Sequence, residues 1–182
     1  RAVISDEHLE PAYRALMQGL PSQSDLARAL AEDGHTPDPD IIYAAVEATR
    51  DAMAKSYATL VPTLYMRHTV TDAYEPNAAQ SGKRALANAA LSLLTRTDDG
   101  AMAQKQYDAA DNMTQQLSAL ANLIRAGKGS AALQIFEAQW RNDRLVMDKW
   151  FGLQVMEVDP EDAHEVVETL TIHASFNWKN PK

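Results

Sequence analysis

The feature that most constrains this chain is a helical hydrophobic period that recurs from one end to the other, broken only by short, capped interruptions. Asp6 to Leu20 places Leu9, Tyr13, Leu16 and Met17 on one face, and Gly19 and Pro21 close it. Ser22 and Asp25 form a Ser-x-x-Asp start, a variant of the capping box, and Gly34 ends the helix that follows. Asp38-Pro39 supplies an N-cap and a proline at the first helical position, where the missing N–H costs nothing. A long helix is predicted from there through Leu60, with Pro62 kinking or restarting it towards Val70. Asn77 to Arg96 is the strongest helical segment, with Leu86, Ala89, Ala90, Leu93 and Leu94 inward.

The second half repeats these devices. Asp98 or Asp99 caps a helix through Met102 and Tyr107, and Asp111 or Asn112 caps the next, which carries Leu117, Leu120, Leu123 and Ile124. Gly127 and Gly129 set off Ser130 to Arg141, Asn142-Asp143 opens the helix of Trp150, and Asp159-Pro160 is predicted to open a last one over Val166, Val167 and Leu170. About nine or ten helices joined by short loops imply antiparallel neighbours. The expected fold class is all-α: an irregular α-α superhelix, a HEAT-like stack of antiparallel helix pairs without a fixed repeat period. No linker divides residues 1–182, so a single helical domain is expected.

Composition narrows the function. Seven glycines and abundant alanine agree with helix, because alanine loses least entropy there and glycine most. A net charge of −8 with no Lys/Arg run disfavours nucleic acid as a partner. No apolar stretch approaches the ~20 residues of a membrane span. The chain has no cysteine, which removes disulfides and thiolate chemistry and fits a reducing, cytoplasmic setting. Arg1 in place of Met, and the ending Asn180-Pro181-Lys182, lead to the expectation of a piece of a longer protein.

Two stretches approach known zinc-peptidase chemistry. His164-Glu165-Val166-Val167-Glu168 is one residue from His-Glu-x-x-His, in which two histidines one turn apart hold zinc and the glutamate acts as general base. Glu168 stands where the second histidine belongs, and a third ligand is missing. The plainer reading is an acidic patch on an amphipathic helix. Gly100-Ala101-Met102-Ala103-Gln104 is similar to the Gly-x-Met-Glu-Asn run that holds a substrate amine in zinc aminopeptidases, but Ala103 lacks the anion. His8, His35, His68 and His173 are not at ligand spacing, and no phosphate loop or nucleophile elbow occurs. No catalytic, cofactor-binding or metal-binding residue is assigned. Phe136, Trp140, Trp150 and Phe151 read as a core between two helices rather than a ligand pocket or partner surface. Met113, Met147 and Met156 read as gap-fillers in that core.

Several segments together resemble the C-terminal domain of the bacterial aminopeptidase N family. Leu145-Val146-Met147-Asp148-Lys149-Trp150-Phe151 matches that family's Leu-Val-Met-Asp-Lys-Trp-Phe segment. Asp108 to Thr114 is similar to its Ala-x-Asn-Met-Thr-Asp run, except that Gln115 replaces the Asp, which should alter a helix-start interaction. Arg84-Ala85-Leu86 with Asn88, the segment from Asp6 to Ala12, and Phe176 with Asn180-Pro181 also fit, in the family's order. The resemblance implies a parent enzyme that uses one zinc ion, held in a catalytic domain N-terminal to this stretch, to release N-terminal residues from peptides. It implies that this chain has no cofactor of its own and forms part of a helical bowl covering the active-site chamber. Its partners would be the catalytic domain and remaining C-terminal helices of the same polypeptide, with peptide substrates reaching the chamber. An apolar face uncovered in isolation would favour self-association. The alternatives are a free-standing helical-repeat interaction module, and a metalloenzyme using His164, Glu165 and Glu168.

Overall fold

A computed structural model describes residues 2–179. Every regular element among them is an α-helix. The chain divides into two compact units, Arg1–Thr97 and Asp98–Lys182.

The first unit contains α1 (Ala2–Ser5), α2 (Pro11–Leu16), α3 (Gln23–Glu32), α4 (Pro39–Ser56) and α5 (Val61–His68), and α6 (Ala78–Asp98) ends at the unit boundary. Its core is Ile42 and Val46 of α4, Val61 and Leu64 of α5, and Leu86, Ala90 and Leu91 of α6. Side-chain caps explain the starts of α3, α4 and α6. Ser22 Oγ accepts from Asp25 N–H at 3.1 Å, Asp38 Oδ1 from Asp40 N–H at 2.9 Å, and Asn77 Oδ1 from Gln80 N–H at 2.8 Å. Pro62 restarts the helix rather than kinking it: α4 ends at Ser56 and Pro62 sits in the first turn of α5.

The expected helix from Asp6 to Leu20 is corrected. A turn covers Asp6 to Leu9, and Pro11 starts the short α2. Proline stops a helix running into it but tolerates the first turn of a new one. The face is corrected too. Tyr13, Leu16 and Met17 are exposed, whereas Arg14 is buried and donates from Nε to the Ile4 carbonyl at 2.9 Å. Burial follows a long-range partner here, not hydropathy. On α6, Gly82 lets the backbone of α2 approach closely, since a Cβ there would stand 3.2 Å from the Ala12 nitrogen.

The second unit contains α7 (Ala101–Ala109), α8 (Met113–Arg125), α9 (Ser130–Trp140), α10 (Arg144–Glu157) and α11 (Ala163–Thr171). Helix α8 packs on α7, α9 and α10, and α10 packs on α9 and α11. The core includes Ala103, Leu120, Leu123, Phe136, Met147 and Trp150. Asp98, not Asp99, completes the start of α7, accepting from Gly100 and Met102 N–H at 3.0 and 2.9 Å. Asn112, not Asp111, caps α8, accepting from Gln115 N–H at 3.1 Å, while its amide donates to the Gln115 side chain. Gln115 therefore closes a reciprocal cap. Asp143 caps α10. Asp159-Pro160 behaves differently from Asp38-Pro39: Asp159 caps a turn at Glu161, and α11 begins only at Ala163 without a side-chain cap. Met147 is buried as a gap-filler, but Met156 is 79% exposed.

Candidate functional site

The near-matches to peptidase motifs fall on surfaces and core positions that do not support their chemistry. His164 and Glu168 lie one turn apart on α11, with Nε2 and Oε1 3.4 Å apart and side chains 86% and 70% exposed. Glu165 is exposed as well. A zinc site needs three or four converging donors in a shielded pocket. Among the described residues no group of three or more histidine, aspartate or glutamate side chains is arranged to hold a metal ion. Ala103 is fully buried on α7, and Gly100 precedes that helix in the left-handed region at φ 81°. The backbone there is a helix start, not a strand edge able to pair with a peptide.

The other histidines have local partners. His35 lies 3.4 Å from Asp33 on the surface, and His68 Nδ1 lies 2.9 Å from the Leu64 carbonyl of its own helix. His173 differs, because its contacts reach across elements (below).

In the first unit, charge concentrates on α4 and α6. Arg96 pairs with Asp51 at 2.6 Å and with Glu47 at 2.5 Å, and Glu47 also pairs with Arg50 at 2.7 Å. Burial alone would raise the Glu47 carboxyl, but hydrogen bonds and charge from Arg96, and then from Arg50, hold it below its ordinary range. Arg96 is likewise opposed by burial yet held more firmly protonated by Glu47 and Asp51. This network ties α4 to α6.

The most pocket-like feature built from the aromatic residues lies in the second unit. Phe136 is fully buried and Trp150 nearly so, with the Trp150 indole donating to the Leu133 carbonyl at 3.0 Å. Trp140 donates weakly towards Gln116 Oε1 at 3.4 Å. These contacts make the core expected from the sequence. From Trp150, however, the rings continue outwards. Phe151 meets Trp150 at 5.0 Å and Phe176 at 5.5 Å between centroids, and Phe176 meets Trp178 at 5.1 Å, all edge to face. Such pairs add about 0.5–1.5 kcal/mol beyond their buried area. Between α10, α11 and residues 175–178 they leave a mainly apolar groove of about 360 Å³. Arg144 and Asp148 stand on its lining, and Trp178 is 78% exposed. The groove can hold an apolar group. It presents no arrangement of nucleophile, base and oxyanion donor.

The sequence pointed to Phe151 as part of the core, and to Phe176 through its place in the resemblance. It gave no sign that His173 and Phe176 would fold back on α10, because that contact joins segments more than twenty residues apart. Asn180 and Pro181, which carry part of the resemblance, lie outside the described residues.

Comparison with known proteins agrees with this picture of a helical scaffold. A family profile described as "Domain of unknown function (DUF3458_C) ARM repeats" matches residues 1–182. Aminopeptidase N of Caulobacter vibrioides is 34% identical over 186 residues, covering 100% of this chain and 21% of that protein. Aminopeptidase N of Escherichia coli is 32% identical over 187 residues, again 100% of this chain and 21% of that protein. The crystal structure of Legionella pneumophila aminopeptidase A in complex with aspartic acid superposes with a TM-score of 0.83 at 25% identity, covering 99% of this chain and 22% of that one. The chain thus spans about a fifth of the length of the relatives it matches. The expected all-α, superhelical fold class agrees with the ARM-repeat description, and the chain belongs to the DUF3458_C family of helical-repeat domains, similar over its whole length to a segment of aminopeptidase N.

Proposed function

We propose that residues 1–182 are a non-catalytic helical part of the C-terminal domain of a cytoplasmic zinc aminopeptidase, and that this part covers the active-site chamber and limits which peptides enter it. The observation that carries the reading is similarity over the whole chain to a fifth of aminopeptidase N. The position of the near-matching motifs supports it, on an exposed helix face at His164 to Glu168 and in a helix core at Ala103. Among the described residues no three His, Asp or Glu side chains converge to hold a zinc ion. The metal and the Lewis-acid chemistry it supplies belong, in this reading, to the catalytic domain of the same polypeptide. This chain's own contribution, in this reading, is helical surface rather than catalytic donors.

Two measurements test the reading. The purified 182-residue chain, supplied with zinc, should release no chromophore from an aminoacyl arylamide, and zinc-dependent release by this chain alone would overturn the assignment. In the full-length polypeptide, substitutions on the chamber-facing side of this chain should alter turnover of long peptides while leaving an aminoacyl arylamide unaffected. Equal effects on both substrates would remove the gating role. A free-standing interaction module is the second reading, favoured by the ARM-repeat description, and it would be supported by a natural polypeptide of only this length.

A further inference from the structure

His173 joins three parts of the second unit. It follows the C-terminal end of α11, and its ring packs on Trp150 at 5.2 Å and on Phe151 at 5.4 Å between centroids, both on α10. Nε2 lies 3.5 Å from Glu137 Oε1 on α9. Nδ1 accepts a hydrogen bond from the Ser175 N–H at 3.1 Å, and the His173 carbonyl accepts from Phe176 N–H at 2.9 Å. These partners fix the neutral tautomer. Nδ1 must carry the lone pair that Ser175 uses, so the proton sits on Nε2, facing Glu137. The side chain is only 24% exposed. The turn it holds, Ser175 to Trp178, is one wall of the apolar groove.

We propose that His173 is a proton-operated clasp that sets whether this wall is closed on α10. In the neutral ring Nδ1 holds the Ser175 amide. Adding a proton at Nδ1 turns that acceptor into a donor, so two N–H groups face each other and the turn is released. The same charge draws Nε2–H towards Glu137, so the ring stays on α9 while it lets go of the turn. Glu137 is the charged group paired with the ring. Helix α10 meets it with the uncharged rings of Trp150 and Phe151, and its own segment with the Ser175 amide. Release uncouples Phe176 from Phe151 and opens the groove. Imidazole is the side chain that ordinarily gains or loses a proton between about pH 5 and 8.

The test follows the 182-residue chain by NMR as pH falls. His173 ring carbons report protonation, the Phe151–Phe176 ring cross-peaks report the wall, and amide exchange of Ser175, corrected for its intrinsic rate, reports the hydrogen bond. Protonation of the ring should weaken the cross-peaks and speed corrected Ser175 exchange by about fivefold or more, the value of one lost hydrogen bond. In His173→Asn the shorter side chain accepts from the residue two positions on whatever the pH, as Asx turns do, so both responses should disappear. Should that variant fail to fold, Glu137→Gln provides the second arm. There the ring carbons again report protonation, and wall opening must follow the ring's own protonation curve in that variant. Cross-peaks and Ser175 exchange that ignore the ring's protonation, or a wall-opening midpoint that departs from the ring's own in Glu137→Gln, would overturn the proposal.

Discussion

Ala103 has no exposed surface, and its helix α7 packs against α8. Restoring the glutamate that an amine-binding motif would carry therefore buries a carboxylate instead of creating a site. An uncompensated buried charge costs about 3–5 kcal/mol. Ala103→Glu should lower the urea midpoint of the second unit by a corresponding amount, or leave it unfolded, with no gain in affinity for an N-terminal amine. A variant that kept wild-type stability would mean that the α7–α8 packing is looser than the structure gives. Residue identity alone could not separate the two outcomes. The letters Gly-x-Met are present, and only the surrounding helix shows that position 103 faces inwards.

Helix ends were the most legible feature of the elements, and they differ in what they contribute. Asp38 accepts from two backbone N–H groups of α4, while Asp159 accepts from one in a turn that stops short of α11. Losing an N-cap side chain costs about 1 kcal/mol. Asp38→Ala should destabilise the first unit by about that much, and Asp159→Ala should cost the second unit distinctly less, as chemical denaturation would show; equal losses would contradict the structure. Between elements, the Glu47–Arg96 pair carries a pH dependence. The folded state holds the Glu47 carboxyl below its ordinary 4.5, so the unfolded chain takes up the proton first as the medium is acidified. The contribution is present in full above that value and is lost as pH falls through the lower, folded one. Thermal midpoints measured below pH 5 should fall more steeply in the wild type than in Glu47→Gln, and parallel curves would remove the pair from the account. The caps at Ser22, Asp38, Asn112 and Asp143 could be read because capping is local, fixed by residues two or three apart. The burial of Arg14 and the return of Phe176 to Phe151 could not, because each depends on a partner distant in sequence.

At the scale of the molecule, the exposed apolar side chains decide the behaviour. Leu16, Ile41 and Met66 in the first unit, and Leu145, Met156, Ile172 and Trp178 in the second, are each at least 66% exposed. Single exposed apolar residues are ordinary, whereas several large ones together can mark surface that another protein surface covers. If the chain is part of a longer polypeptide, as its relatives suggest, the rest of that polypeptide would supply the cover. Sedimentation velocity on the isolated chain should then show a weight-average mass that rises with concentration between about 10 and 500 µM, because apolar contact of modest area gives weak, micromolar association. Trp178→Ser with Met156→Ser should shift that rise to higher concentration without changing helicity. A monomer insensitive to dilution across the range would show that the exposed apolar surface is tolerated by water as it stands, and would remove this argument for a missing cover.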